Sequence, residues 1–329
     1  MAYTLRIVES FGGEGGVAHT GAISLAGVAL LYVLLLGFAF TLNKPQAVPL
    51  PKLRPALPLG LLGVAALLTW SLVLRAPDGR LHLILLDTSQ SGQSGDALLI
   101  QTPGGRWVLV NGGPSSNRLS AALAEHLPLM RGELDMLVIA SVTDEQLQAL
   151  PETIQRYPPQ DVIWLGGTHA SYSARLLQAG LVKAGSEPQS MEVGASLDLG
   201  GGARLHALAV TPRGGVLLLE WGNFRALLPL GVTQEVLADL GAQSTQNTLL
   251  CGPVTALLLA ESGYAPANPP EWLNRWQPQM ALLSVAAGDQ DGRPDSEVLE
   301  ALSGILLLRT DRNGWIEIST DGEKMWVEV

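Results

Sequence analysis

Two stretches without a charged residue constrain this chain more than anything else in it. Thr20 to Asn43 is centred on AGVALLYVLLLGFAF, and Pro55 to Leu74 reads PALPLGLLGVAALLTWSLVL. Each is about 20 residues long, and at ~1.5 Å rise per residue a helix of that length crosses a hydrocarbon layer ~30 Å thick. Neither run has the polar face of a surface helix, so a pair of buried core helices is the weaker reading. A transmembrane hairpin over residues 20–75 is therefore expected, with spans near 22–42 and 56–74. The connector NKPQAVPLPKLRP carries Lys44, Lys52 and Arg54. Positive loops stay in the cytoplasm, which puts Met1 and everything after the second span outside. Arg75 and Arg80, close to the outer end of that span, oppose this orientation. The leader, residues 1–19, mixes apolar and polar residues and fits either a segment lying on the membrane surface or a disordered tail.

Charge is unevenly placed along the chain. Of its 20 Lys and Arg, five precede residue 76, and of its 30 acidic residues only Glu9 and Glu14 do. The remainder holds 15 basic and 28 acidic residues, a net charge of −13. Phosphate backbones are held by Lys and Arg, so direct nucleic-acid binding by this region is disfavoured. The lone Cys251 excludes an intramolecular disulfide and a cysteine-based zinc site.

From Leu81 onward, short apolar runs alternate with turn signals. Strands are expected at LHLILLD, DALLIQT, RWVLVNG, LDMLVIA, DVIWLGG, ARLHALAV, GVLLLEWG, FRALLPL, TALLLAE, MALLSVA, GILLLRT, GWIEIST and KMWVEV. Helices are expected over Asn117–Leu127, Glu145–Arg156, Ser171–Ala179, Thr233–Leu240 and Asp295–Leu302. The TPGG turn at Thr102–Gly105 and the EWGN turn at Glu220–Asn223 place glycine where positive φ is needed. Runs such as LHLILLD are apolar on both faces, so they belong inside sheets covered on both sides. Two packed sheets with helices outside, an α/β sandwich of the αββα type, is the expected architecture for residues 78–329.

These segments together resemble a known family. LHLILLDTSQSGQSGDALLIQTPGGRWVLVNGGP resembles the opening of the metallo-β-lactamase-like domain of ComEC-type competence proteins, where the pattern is roughly LDVGQGDA, strand, TPGG, strand, DGGP. ALLSVAAGDQDGRPDSEVLEAL, followed by LLLRTDRNGWIEISTDG, resembles the end of the same domain. The leader and two apolar runs resemble the last part of that family's channel region. Its earlier channel helices and N-terminal soluble domain have no counterpart here. The resemblance implies a place in the bacterial cytoplasmic membrane, an extracytoplasmic C-terminal domain, and work alongside a polytopic channel subunit in DNA uptake. In that family the domain is thought to be a nuclease holding two Zn or Mn ions.

The ligand positions implied by the resemblance are all altered. The family's loop after the fourth strand reads roughly Thr-His-Pro-His-Ala-Asp-His. In the matching loop Ser141 and Thr143 stand for the first two histidines, Glu145 for the aspartate and Gln146 for the last histidine. Asn111 replaces the acid of the DGGP turn. No Asp occurs from Pro229 to Gln234, so Gly231 marks the place of the bridging carboxylate. Glu261 and Ser262 replace a His-His pair, and Arg293 replaces the final histidine. The five histidines, His19, His82, His126, His169 and His206, fit none of these positions. Asp144, Glu145, Glu261 and Asp289 offer a weak oxygen-donor alternative suited to Mg²⁺ or Ca²⁺. No phosphate-loop lysine and no Gly-x-Ser-x-Gly elbow is present. The tryptophans at 107, 164, 221, 272, 276, 315 and 326 read as core or interface rather than a base-stacking strip. The expectation is a membrane-anchored, noncatalytic module without a bound cofactor, serving a binding or structural role. The alternatives are a metal-dependent phosphodiesterase with substituted carboxylate ligands and a truncated or decayed gene product.

Overall fold

Leucine-rich strands with both faces apolar can only be satisfied in an interior, and the computed structural model shows how that is done. It describes residues 77–128, 131–243 and 252–329. The leader, both expected spans, His19 and Cys251 lie outside the described residues. Among the described residues no helix is long and apolar enough to cross a membrane.

Six strands build most of the first sheet: β1 (Leu81–Leu85), β2 (Leu98–Gln101), β3 (Trp107–Val110), β4 (Leu134–Ile139), β5 (Pro159–Trp164) and β6 (Gln189–Ser190). The chain then crosses to a second sheet made of β7 (Ser196–Gly200), β8 (Ala203–Thr211), β9 (Gly214–Trp221), β10 (Phe224–Leu230), β11 (Ala256–Leu258), β12 (Met280–Leu283) and β13 (Leu306–Arg309). It returns to the first sheet as β14 (Ile316–Thr320) and β15 (Met325–Glu328), giving the order β15-β14-β1-β2-β3-β4-β5-β6. The second sheet runs β13-β12-β11-β10-β9-β8-β7. In each sheet antiparallel hairpins give way to parallel strands: β3 to β6 in the first, β10 to β13 in the second. The fold is thus a mixed α/β fold with two sheets.

Side-chain alternation assigns each strand two buried faces. Leu81, Leu83 and Leu85 of β1 meet Leu217 and Leu219 of β9 and Phe224, Leu228 and Leu230 of β10 in a core between the sheets. The opposite faces carry Ile84, Leu99, Leu137 and Ile139, covered by helices α1 (Ser116–His126), α3 (Leu150–Arg156) and α4 (Tyr172–Lys183) through Leu119, Leu123, Ile154, Leu177 and Leu181. The second sheet's outer face is covered by α5 (Gln234–Gln243), α6 (Pro270–Trp276) and α7 (Ser296–Ala301) through Leu237, Trp272, Leu273, Trp276 and Val298. Layering is therefore helix, sheet, sheet, helix. Trp107, Trp164, Trp272 and Trp276 are buried in these layers rather than set in a surface strip.

Several expected elements differ in their bounds. The helix expected over Glu145–Arg156 is two: α2 (Asp144–Leu147) and α3. Pro151 has no N–H to give the Leu147 carbonyl, so a continuous helix loses a bond there. The Ala149 N–H turns to the Gly113 carbonyl instead, at 3.1 Å. Helix α4 runs four residues past the expected end, capped at its start by Ser171, whose hydroxyl accepts from the Ala174 N–H at 3.1 Å. Helix α6 and strands β6 and β7 were not expected. The first is short, opens on Pro269-Pro270 and shows little periodicity; the strands are short and polar.

Leu219 tests the inter-sheet core. Leu219→Ala removes a fully buried side chain, at a cost of about 2–5 kcal/mol. The full chain should then melt roughly 5–15 °C lower by thermal denaturation. Leu176→Ala, on the exposed face of α4, should shift melting by less than about 2 °C.

Candidate functional site

Parallel strands that point the same way end at the same edge, and the loops leaving their C-terminal ends converge there. In this domain those loops enclose a cavity of about 410 Å³. The loop after β4 contributes Ser141, Thr143, Glu145 and Gln146, and the residue after β10 contributes Gly231. The turn after β11 contributes Glu261 and Ser262, and the loop after β12 contributes Asp289, Gln290, Asp291 and Arg293. Gly92, Gln93, Ser94 and Asp96, ahead of β2, close one side, and Arg213 between β8 and β9 closes another. Eight of the nine positions assigned by the resemblance thus line one cavity. The ninth, Asn111, lies beneath it.

Close backbone approaches set the shape of this pocket. A Cβ on Gly95 would lie 2.3 Å from the Glu145 carbonyl oxygen. One on Gly231, which has φ +65°, would lie 2.2 Å from Ser141 Oγ. The Gly215 N–H and Val142 N–H bond across the two sheets, to the Ala140 carbonyl at 2.9 Å and the Arg213 carbonyl at 2.9 Å. These backbone bonds join the two sheets at this edge, with Ser284 Oγ donating to the Gly95 carbonyl at 2.9 Å beside them.

The floor is a hydrogen-bonded cluster with Gln146 at its centre. Its Oε1 accepts from the Asp96 N–H at 2.8 Å and from Asn111 Nδ2 at 3.4 Å, and its Nε2 donates to Asp96 Oδ2 at 2.8 Å. Its carbonyl accepts from the N–H groups of Gly112 and Gly113, each at 3.0 Å. Asn111 takes φ +55°, a left-handed conformation that asparagine tolerates better than most residues. Its Oδ1 accepts from the N–H groups of Ala140 and Ser141 at 2.9 and 3.1 Å. Two amides, Gln146 and Asn111, therefore tie the ends of β3 and β4 and the start of β2 together. A neutral imidazole in place of Gln146 also has one donor and one acceptor, but its single N–H and single lone pair could not make all three of these side-chain bonds.

Asp96 is the residue that motif reading passed over. It is 3% exposed, and its second oxygen, Oδ1, is buried without a hydrogen-bond partner. Burial pushes its carboxyl up to about 7; the Gln146 hydrogen bond opposes this and the nearby charge of Glu261 adds to it. The signal was present in the sequence as a lone acid at the head of the wholly apolar run DALLI.

The other positions divide by what holds them. Arg293 donates to the Glu261 carbonyl at 3.0 Å, sits 3.5 Å from Asp291 and lies over the Tyr264 ring at 4.9 Å. Asp289 accepts from Ser94 Oγ and from the N–H groups of Asp291 and Arg293 at 3.0 and 3.1 Å, so its oxygens fold the loop. Asp144, weighed as a cation ligand, does not line the cavity. Its carboxylate accepts from the Ser173 N–H at 2.8 Å, at the start of α4. Only Glu145 and Glu261 of those four offer carboxylates to the cavity that no hydrogen bond already uses. His82 bonds Glu317 at 2.6 Å, His126 stands edge-on to Trp315, His169 bonds Thr168 at 3.0 Å and His206 lies 3.1 Å from Glu220. None of these four lines the cavity.

This donor set does not fit a two-metal centre. Such a centre needs imidazoles and carboxylates converging on ions ~3.5–4 Å apart. Here a guanidinium stands at one ligand position, hydroxyls at three and an amide at another. Among the described residues no three His, Cys, Asp or Glu side chains are placed to hold a metal ion.

No family model matches the chain, and no curated protein does. Solved structures similar to it include a variant of the CmlA β-hydroxylase, with TM-score 0.48 and 14% identity over 72% of this chain and 54% of that one. The chain thus spans about half the length of that relative. The metallo-β-lactamase fold protein YhfI from Bacillus subtilis gives TM-score 0.47 and 12% identity over 69% of this chain and 95% of that one. Zn²⁺-bound PqqB from Methylobacterium extorquens gives 0.46 and 10% over 69% and 97%.

Asp96 makes stability fall as pH rises. Its carboxyl keeps a proton up to about 7 in the folded chain, against 3.8 as the ordinary value. Between those two values the folded state binds the proton and the unfolded state does not, so each rise in pH costs stability, up to about 4 kcal/mol in all. The penalty is absent below that window and complete above it. Asp96→Asn should flatten this slope and melt higher than the parent chain at pH 8, with the difference gone at pH 4. Melting curves across pH check it.

Proposed function

We propose that this chain is a membrane-anchored, noncatalytic relative of the lactamase-like domain of ComEC-type competence proteins, and that its cavity serves binding. The observation that carries this reading is the cavity lining. The positions at which the resemblance implies imidazoles and a bridging acid hold Ser141, Thr143, Gln146, Gly231, Glu261, Ser262 and Arg293, a single carboxylate among them. Hydroxyls, an amide and a guanidinium do not fix a pair of dications, and Glu145 and Glu261 alone do not complete the set that would generate hydroxide on two ions. The hydrogen bonds of Gln146 supply the cross-link between loops that bound ions would otherwise make.

The anchoring part of the proposal rests on the two uncharged runs before residue 76 and on the positive loop between them. The same reasoning favours an extracytoplasmic domain on the bacterial cytoplasmic membrane. A net charge of −13 beyond residue 75 argues against direct DNA contact by that domain. A polytopic channel subunit of a DNA-uptake system, together with membrane lipid, is the partner this reading assigns.

Elemental analysis of the purified full-length chain should find Zn and Mn far below one equivalent, and a chelator should leave its melting temperature unchanged. Two equivalents of either metal, or hydrolysis of single-stranded DNA that requires added Mn²⁺ and disappears in Glu145→Ala, would overturn the proposal.

A further inference from the structure

The cavity holds more negative charge than its own contacts use. Four carboxylates line it, from Glu145, Glu261, Asp289 and Asp291, with the buried Asp96 carboxyl beneath them, against the guanidinium groups of Arg213 and Arg293. Asp289 is occupied by Ser94 and by two backbone N–H groups, and Arg293 is held between the Glu261 carbonyl and Asp291. Among the described residues the carboxylates of Glu145 and Glu261 have neither a hydrogen bond nor an ion pair. Arg213 lies exposed and forms no ion pair with them. A second observation is independent of this surface charge. Asp96, 3% exposed on the cavity floor, keeps Oδ1 without a partner. A buried polar atom left unpaired costs about 1–3 kcal/mol, and a donor arriving in the cavity relieves that cost.

We propose that this cavity binds a small organic ammonium ion, an aliphatic di- or polyamine, held by Asp96, Glu145 and Glu261. The inference rests on the noncatalytic reading and names the ligand of the same site. An ammonium group brings three donors and no acceptor, which matches carboxylates that lack donors. It also tolerates irregular geometry, whereas a dication needs oxygens at fixed distances, and no such set of three converges here. Phosphate esters and nucleotides meet the uncompensated carboxylates and are repelled. The volume of about 410 Å³ lies in the range of small-molecule sites.

Spermidine titrated calorimetrically into the full-length chain in nonionic detergent tests the inference. Saturable binding of one ligand per chain is expected. Glu145→Gln and Glu261→Gln should each weaken it at least about fivefold while leaving melting temperatures near the parent value. The Glu297→Gln/Glu300→Gln double variant, on the exposed face of α7 away from the cavity, should bind as the parent does. Absence of saturable heat, or equal weakening by that distant pair, overturns the inference; the second outcome means surface condensation on an acidic protein. Uptake of a lysine-rich peptide but not of spermidine overturns the assignment to a small ligand. Metal content measured on the same sample separates the two levels. Two metal equivalents would remove the noncatalytic reading, whereas no metal and no amine uptake would remove this inference alone.

Discussion

Burial of both faces of both sheets is the interaction on which the rest depends. A strand such as β1 places Leu81, Leu83 and Leu85 against the facing sheet and Ile84 against helices. Each buried leucine contributes about 1.5–3 kcal/mol relative to an exposed one. None of that energy passes through the edge where the loops meet. The layers of the sandwich therefore do not depend on which functional groups the loops present, and the loops are brought together because the strands beneath them are parallel and in register. A fold built this way can present different chemistries from the same cavity.

What must still be satisfied at that edge is the polar backbone. The N–H groups of Asp96, Gly112, Gly113, Ala140 and Ser141 all point into a region shut off from water, and each needs an acceptor. Gln146 and Asn111 serve all five with three acceptor oxygens: the Gln146 side chain for Asp96, its backbone carbonyl for the two glycines and Asn111 Oδ1 for the pair on the β4 loop. The use of amides at this edge thus has a physical logic. Amides present donor and acceptor together, bear no charge to desolvate, and join neighbouring loops without an ion. Alanine in place of Gln146 would orphan the Asp96 N–H and remove the sole partner of Asp96 Oδ2 together.

The layered fold was legible in the sequence because its signal is burial, and burial writes itself into runs of leucine and valine. Thirteen apolar runs marked thirteen strands; the two that escaped, β6 and β7, carry Gln189, Ser190, Ser196 and Asp198 and lie at sheet edges, where alternation weakens. Helix α6 escaped because prolines at its start look like loop punctuation until one recognises that the first helical turn tolerates them. The site was legible as positions, since turns and strands fix the spacing of the loops. It was not legible as chemistry. Nothing in the string SVTDEQ tells that Asp144 turns away to cap α4 while Gln146 turns inward. That outcome depends on Pro151 breaking the helix and on Gly95 admitting the Glu145 carbonyl. Asp96 was hidden for a related reason: a single acid before an apolar run reads as a strand boundary, and only the folded chain shows it enclosed.

Asp96 also bears on whether this domain acts as a spacer or as a receptor. A carboxyl sealed under a cavity with one oxygen unpaired, its proton held up to about 7, destabilises the fold at neutral pH. Asparagine would keep an acceptor for Gln146 and shed most of that cost. A module whose only task is mechanical gains nothing from the acid. A module whose cavity must receive positive charge gains a counter-charge that water cannot neutralise, and the energy lost in the empty state is recovered when the ligand arrives. On the proposed reading, the cost placed on the fold at this one residue is what an arriving cation would offset.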